Sequence, residues 1–220
     1  MPAPDELLPD PLPTDPLVLV SDWLAAAVAR SGQPNPNAMM LATVSADGRP
    51  SARVVLCKDI GVEPGYLVFY TNYESRKGQE LAATGRAAAV FHWDSMHRQM
   101  RIEGRVVRSP AAESDAYFAR RPWGSRLGAW ASRQSRPIES RGALLLAVAR
   151  VTARYGAQAA IGRSIPRPEH WGGFRLWAEA VEFWVEGQFR IHDRVRYTRT
   201  LTPEDGEFAA GAWSMSRLQP

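Results

Sequence analysis

Apolar positions recur at helical spacing between Asp15 and Gly32, with Leu17, Val20, Leu24, Ala27 and Val28 falling on one stripe. The spacing predicts a helix with Asp15 as N-cap and Pro16 at its first position, ended by Gly32, with QPNPN as the loop that follows. Beyond that loop the helical period gives way to short strand patterns. AMMLATVSADGRPSARVVLCK reads as two strands around Asp47-Gly48, a strong hairpin signal. YLVFYTN, AAAVFHW and RQMRIEGRVVR continue the strands, and SRKGQELAATG between the first two reads as a short helix closed by Gly85. Ser109-Pro110 opens a helix over AAESDAYFAR that Pro122 stops, and SRGALLLAVARVTARYG is a further helix. GGFRLW, AVEFWVEG, RIHDRVRYTR and FAAGAWSMSRL complete the strands. Helices occur but do not alternate with strands as βαβ units do. The expected fold is therefore α+β, mainly antiparallel β, a barrel or sheet with helices packed outside. Residues 1–14, rich in proline and acid, read as a mobile arm, which leaves 15–220 as one domain.

One strand pattern is unusual. Read as a regular strand, EFWVEGQFRIHDRVRY puts Arg190, His192, Arg194 and Arg196 on one face. Neighbouring cations of this kind call for an anion, or for water.

Composition narrows the choice. With 45% hydrophobic residues the chain can bury a sizeable core, and its net charge of +4 is a modest excess. The basic residues are scattered without a dense tract, which fits small phosphorylated ligands at least as well as nucleic acid. No run of about twenty apolar residues is present, so no membrane helix is expected. The opening residues lack a basic stretch followed by an apolar one, so no signal peptide is expected and a cytoplasmic location is. The single cysteine, Cys57, allows no intrachain disulfide and, among apolar neighbours, reads as a small buried hydrophobe. Of 27 basic residues only Lys58 and Lys77 are lysines. Genome composition is the bland cause of so arginine-rich a chain; under that bias a retained lysine is a candidate site residue, because arginine cannot replace a compact ammonium where geometry is tight.

Familiar catalytic signatures are missing. There is no G-x-G-x-x-G after a strand, no G-x-x-x-x-G-K-[ST] and no G-x-S-x-G. The four histidines show no metal-ligand spacing, so no metal is expected.

What remains is a set of anion and ring ligands. Arg76-Lys77 enter a helix, where free N–H groups and the positive dipole end would favour a phosphate; a solvated basic helix start would look the same. Arg53 and Lys58 end one strand with opposite parity, and only a bulge or a turn near Lys58 brings them together. Tyr117 and Arg121 are four apart on one helix face with Ser125 just beyond, a trio able to hold a phosphate monoester or simply to decorate a helix end. Gln99, Gln134 and Ser135 are neutral groups able to bond a heteroaromatic ring, and Trp184 is the tryptophan singled out as a stacking surface.

In this order, RVVLCK, FYTN-YESRKGQEL, FHW-DSMHRQMRIEG, YFARRPWGSRLGAWASRQS, WGGFR and EFWVEGQFRIHDR resemble the pyridoxamine 5'-phosphate oxidases from the first helix to the closing RLQP. The resemblance implies a split β-barrel that binds FMN, works as a homodimer with FMN at the subunit interface, and oxidises pyridoxamine and pyridoxine 5'-phosphates with O2 to pyridoxal 5'-phosphate. It implies that Arg53, Val54, Val55, Leu56, Cys57 and Lys58 line the FMN, with Arg53 on its phosphate. Tyr70 and Thr71 would touch the flavin, and Arg76 and Lys77 would hold its phosphate. Gln99, Gln134, Ser135, Trp184 and Arg194 would complete the cofactor shell, some from the second subunit. Lys58, Tyr117, Arg121 and Ser125 would take the substrate phosphate. Arg190 and His192 would lie over the pyridine ring as the catalytic pair. Arg196 is left without a partner and is expected in solvent. The family's basic, aromatic arm is replaced here by an acidic one, and Val185 follows Trp184 where a polar residue beside the flavin is common. These departures leave two alternatives standing: an FMN oxidase of the same fold acting on another aromatic, such as a phenazine precursor, or a non-catalytic flavin or pyridoxal-phosphate binding protein.

Overall fold

A computed structural model describes residues 7–160 and 164–220, with backbone alone for 157–160. Among these residues, five helices surround a mainly antiparallel sheet. The helices are α1 (Pro16–Arg30), α2 (Arg76–Thr84), α3 (Ala111–Arg120), α4 (Trp123–Ala131) and α5 (Arg141–Ala160). The strands are β1 (Ala38–Val44), β2 (Pro50–Leu56), β3 (Asp59–Gly61), β4 (Tyr66–Asn72), β5 (Arg86–Trp93), β6 (Arg98–Arg108), β7 (Trp171–Val185), β8 (Asp193–Thr198), β9 (Leu201–Glu204), β10 (Glu207–Ala210) and β11 (Ser214–Arg217). One path runs β11-β8-β7-β6-β5-β1-β2, β4 joins it through β7 and pairs with β3, and β9-β10 is a separate hairpin. This is the expected α+β split barrel.

α1 begins as its sequence predicts. The Asp15 carboxylate accepts the Leu17 N–H at 2.9 Å, and Pro16 occupies the first helical position. Leu17, Val20, Trp23 and Ala27 are buried, whereas Val28 faces out. Trp23 takes its place in the core, 5.0 Å edge-on from Phe183. The described part of the arm is tied down rather than mobile at two points: Leu8 is buried and its N–H reaches the Asp193 carboxylate, and the Pro13 carbonyl accepts from Tyr197 Oη. Residues 1–6 of that arm lie outside the described residues.

β7 is one 15-residue strand where the pattern suggested two. Its first half pairs with β4 and its second with β8, while β6 runs along nearly all of it. The bulge at Glu103/Gly104, opposite Ala178 and Ala180, lies where the alternation broke. α4 was not expected, because Gly124 and Gly128 dilute its helical pattern; its Leu127 and Ala129 pack with Phe118, Tyr155, Ile165 and Trp171 in a cluster outside the barrel. The stretch FAAGAWSMSRL divides into β10 and β11 on either side of Gly211.

The Arg190–Arg196 stretch needs the largest correction. β8 starts only at Asp193, and Gln188–Arg190 form a 3-10 turn with Phe189 and Arg190 at φ 55° and 66°. Arg190 and His192 therefore do not share a strand face with Arg194 and Arg196. Gly187 begins this turn, and a Cβ there would stand 1.6 Å from the Ile191 carbonyl oxygen, so only glycine fits. Arg196 is not left to solvent: it pairs with Glu103 at 2.9 Å and with buried Glu182 at 3.5 Å. Val185 is wholly buried in the core.

Candidate active site

β2, the end of β4, the start of α2 and the helices α3 and α4 line an open cavity of about 1110 Å³. Eleven of the predicted side chains line it with polar or basic groups: Arg53, Lys58, Tyr70, Thr71, Arg76, Lys77, Tyr117, Arg121, Ser125, Gln134 and Ser135; Val54, Val55 and Leu56 add apolar surface. Arg53 and Lys58 meet there because β2 ends at Leu56, and the two residues after it turn out of the strand. Both lysines of the chain face this one space. Cys57 is not among the lining residues; its buried thiol points to the Asp59 carbonyl, and burial pushes its pKa up to about 12.

One end of the cavity is a cluster of cations at the start of α2. Ser75 caps the helix by accepting the Gly78 N–H at 3.3 Å, and a Cβ at residue 78 would stand 2.3 Å from the Tyr73 carbonyl oxygen, so only glycine lets the helix start this close to β4. Lys77 is 8% exposed, and its ammonium donates to Thr71 Oγ1 at 3.1 Å and to Gln134 Oε1 at 3.3 Å. Both acceptors are neutral. Burial, and then the Arg53 charge, push the Lys77 pKa below the usual lysine value, with Glu80 pulling it back. A cation held this way fits an anion that the chain itself does not supply.

The other end is aromatic. Tyr70 and Tyr117 stack at 3.9 Å and 6°, and Trp171 lies parallel at 5.5 Å from Tyr70. The Arg121 guanidinium rests 4.5 Å from the Trp171 ring centre. Its Nη1 is buried with no hydrogen-bond partner, and burial lowers its pKa. An orphaned guanidinium nitrogen beside Tyr117 and Ser125 suits a second phosphate. Trp171, Asn72, Ser132 and Arg120 also line the space and escaped the sequence reading. Trp171 was hidden because eight tryptophans more often mean core, and Arg120 because only its neighbour Arg121 fell into the Tyr117 spacing.

The remaining predicted residues lie elsewhere, on the β6-β7-β8 face. Gln99 pairs in register with Trp184, and Trp184 with Arg194, which makes a row across three strands. His192 lies against Trp184, ring centres 4.5 Å apart and planes tilted by 40°. Its Nδ1 accepts the Gly187 N–H at 3.1 Å, so in the neutral ring the proton belongs on Nε2. Arg194 is fixed by Glu182 at 2.7 Å and by the Gln219 carbonyl at 2.8 Å. Beside the row, Arg190 is exposed between Phe189 and Ile191, which are 90% and 70% exposed. Neither Gln99, Trp184, Arg190, His192 nor Arg194 lines the cavity of its own chain.

Comparison with known proteins places the chain in a family. Residues 26–155 match the family model for pyridoxamine 5'-phosphate oxidase, and residues 171–220 match that of the pyridoxine 5'-phosphate oxidase C-terminal dimerisation region. The pyridoxine/pyridoxamine 5'-phosphate oxidases of Brucella canis and Brucella suis are each 53% identical over 206 residues, covering 94% of this chain and 94% of theirs. The crystal structure of PhzG from Burkholderia lata 383, in complex with tetrahydrophenazine-1-carboxylic acid, superposes with a TM-score of 0.81 at 33% identity, covering 99% of this chain and 97% of that one. A pyridoxamine 5'-phosphate oxidase-related, FMN binding protein from Nostoc punctiforme shares the fold at 18% identity and a TM-score of 0.65, covering 90% of this chain and 96% of that one. With a family model spanning more than half of its length and relatives at 53% identity over nearly all of it, the chain belongs to the pyridoxamine 5'-phosphate oxidase family.

Proposed function

We infer that the chain is an FMN-dependent oxidoreductase that converts pyridoxine and pyridoxamine 5'-phosphates to pyridoxal 5'-phosphate. The observation that carries this reading is one cavity lined by basic residues in more than one place: Arg53, Arg76 and Lys77 gather at the start of α2, Arg121 lies against Trp171, and Lys58 lines the same space. Two phosphorylated aromatic molecules, FMN and substrate, match it. FMN, when bound, would supply the two-electron acceptor for this oxidation, with dioxygen as the terminal oxidant and hydrogen peroxide as its product.

The protein's residues orient and exclude. Lys77, Arg53 and Arg76 hold the cofactor phosphate, and Thr71 and Gln134 fix the ammonium of Lys77. Lys58, Tyr117, Arg121 and Ser125 hold the substrate phosphate. Fixing both phosphates sets the rings in register, where most of the rate gain of such a reaction arises. The apolar run of Val54 to Leu56 displaces water from one wall. The row of Gln99, Trp184 and Arg194, with His192 and Arg190, would complete the site from a second copy of the chain, so FMN would lie at the subunit interface. Arg190 would position and polarise the substrate's alcohol or amine, and His192 would offer its Nε2 proton. The exposed Phe189 and Ile191 flanking Arg190 are apolar surface fitted to such a contact.

A reading as a phenazine-precursor oxidase rests on the PhzG likeness at 33% identity. The relatives at 53% and the gathering of Lys58, Tyr117, Arg121 and Ser125 in one cavity favour the phosphorylated pyridine. The test is an aerobic assay of the FMN-saturated protein with pyridoxine 5'-phosphate, following aldehyde and peroxide together. Equal amounts of both are expected. Bound FMN without either product would overturn the substrate assignment.

A further inference from the structure

Behind the cations at the start of α2 lies a carboxylate that the reaction above does not use. Glu80, one turn after Arg76, is 5% exposed. Its Oε2 accepts from Thr43 Oγ1 at 2.5 Å, from Ser51 Oγ at 2.9 Å and from Arg53 Nη2 at 3.2 Å. Its Oε1 accepts from Arg76 Nε at 2.8 Å and from Ser51 Oγ at 3.2 Å. One buried anion thus ties β1, β2 and α2 together through two of the three cations assigned to the cofactor phosphate. The Arg53 guanidinium is held at further points by the hydroxyls of Thr43 and Ser51 and by the Leu41 carbonyl.

The need for such an anion follows from charge. Arg53, Arg76 and Lys77 crowd one end of the cavity, and the Arg53 charge already lowers the Lys77 pKa. Without a counter-charge, mobile arginine side chains would swing apart into water, and a nearly buried lysine would tend to lose its proton. Glu80 opposes both. It fixes one edge of each guanidinium, and its field raises the Lys77 pKa. Three cations less one carboxylate leave two positive charges, which matches a phosphate monoester near neutral pH, about −1.5 to −2. Glu80 remains ionised under these conditions: burial opposes its charge, but hydrogen bonds from Thr43, Arg76, Ser51 and Arg53 outweigh that and hold its pKa at about 2.

We propose that Glu80 is a positioning residue for the cofactor phosphate, a buried counter-ion that sets Arg53 and Arg76 in place before the phosphate arrives and keeps Lys77 charged. The proposal rests on the FMN reading above. Its contrast is a carboxylate that merely clamps α2 to the sheet. The two differ in selectivity between FMN and riboflavin, which share the ring system and differ in the phosphate.

The test titrates apo full-length protein with FMN and with riboflavin, reading quenching of flavin fluorescence, for wild type, Glu80→Gln and Glu80→Asp. Positioning predicts that Glu80→Gln weakens FMN by about tenfold or more, the loss of one charge-assisted contact, and leaves riboflavin within about twofold. Glu80→Asp keeps the charge on a shorter stem and should restore part of the FMN affinity; it carries the test by itself if the glutamine variant does not fold. Equal weakening of both flavins would assign Glu80 to the clamp and overturn the proposal. FMN affinity unchanged or tighter in Glu80→Gln would do so as well. Wild-type protein that binds FMN no better than riboflavin would sink the phosphate site itself, and the proposal with it.

Discussion

Replacing Arg121 by Met should weaken the substrate and leave the fold almost untouched, an opposition of signs that few structural arginines would show. In the protein alone, Arg121 Nη1 is buried without a partner, a defect that costs about 1–3 kcal/mol. Against that stands the contact of the guanidinium with Trp171 at 4.5 Å, worth about 0.5–2 kcal/mol. Methionine fills similar space with no donor to satisfy. The expected change in unfolding free energy therefore lies between a loss of about 1 and a gain of about 2.5 kcal/mol. In the proposed complex, the guanidinium would gain the substrate phosphate. One charge-assisted hydrogen bond is worth about 1.5–3 kcal/mol, so the Michaelis constant for pyridoxine 5'-phosphate should rise roughly 10- to 150-fold. Urea denaturation gives the first quantity, and initial rates across substrate concentrations give the second. A protein destabilised by about 3 kcal/mol or more, with an unchanged Michaelis constant, would show that Arg121 is structural and refute the reasoning.

Three further outcomes follow from the same geometry. Glu80, at a pKa of about 2 against an ordinary 4.5, contributes roughly 3 kcal/mol that is present above pH 4.5 and lost as pH falls toward 2; Glu80→Gln should therefore trail wild type by about that much at neutral pH, with the gap closing in acid, and a gap independent of pH in urea titrations would contradict the assignment. Phe189→Asp puts a charge at the most exposed aromatic beside Arg190 and should shift the dimer toward monomer in sedimentation velocity, lowering turnover with it; an unchanged sedimentation profile would remove this turn from the interface. Arg190→Ala should lower turnover by about 100-fold or more while FMN stays bound, and a variant as fast as wild type would remove Arg190 from the chemistry.

Much of this arrangement is legible in the sequence, because local rules and the family motifs agree with the fold. Asp15-Pro16 caps a helix where the residue types demand it, Ser75 and Gly85 bracket α2, and Lys58 and Lys77 face one cavity, as their rarity suggested. The failures come from distant partners. A two-residue period running through Arg190, His192, Arg194 and Arg196 reads as one strand, yet Gly187 and the left-handed Phe189 and Arg190 form a turn first. Backbone strain at two non-glycine residues cannot be seen in residue types; each costs on the order of 1–2 kcal/mol, and such strain concentrates at functional sites. Arg196 appeared unpartnered because Glu103 lies 93 residues away in the chain and Glu182 faces it only through the β7-β8 register. Glu80 was passed over for the same reason: its five hydrogen bonds come from β1, β2 and α2 together, and a glutamate inside a helical pattern carries no sign of burial. α4 stayed hidden because two glycines lie in nine residues.

The most direct measurement is a single turnover without oxygen. FMN-loaded protein is mixed anaerobically with pyridoxine 5'-phosphate, and the visible absorption of the flavin is followed alongside the aldehyde. Bleaching of the flavin with one pyridoxal 5'-phosphate formed per FMN, and full recovery of the colour on admitting air, is the expected result. A flavin that stays yellow in the presence of bound substrate would contradict it.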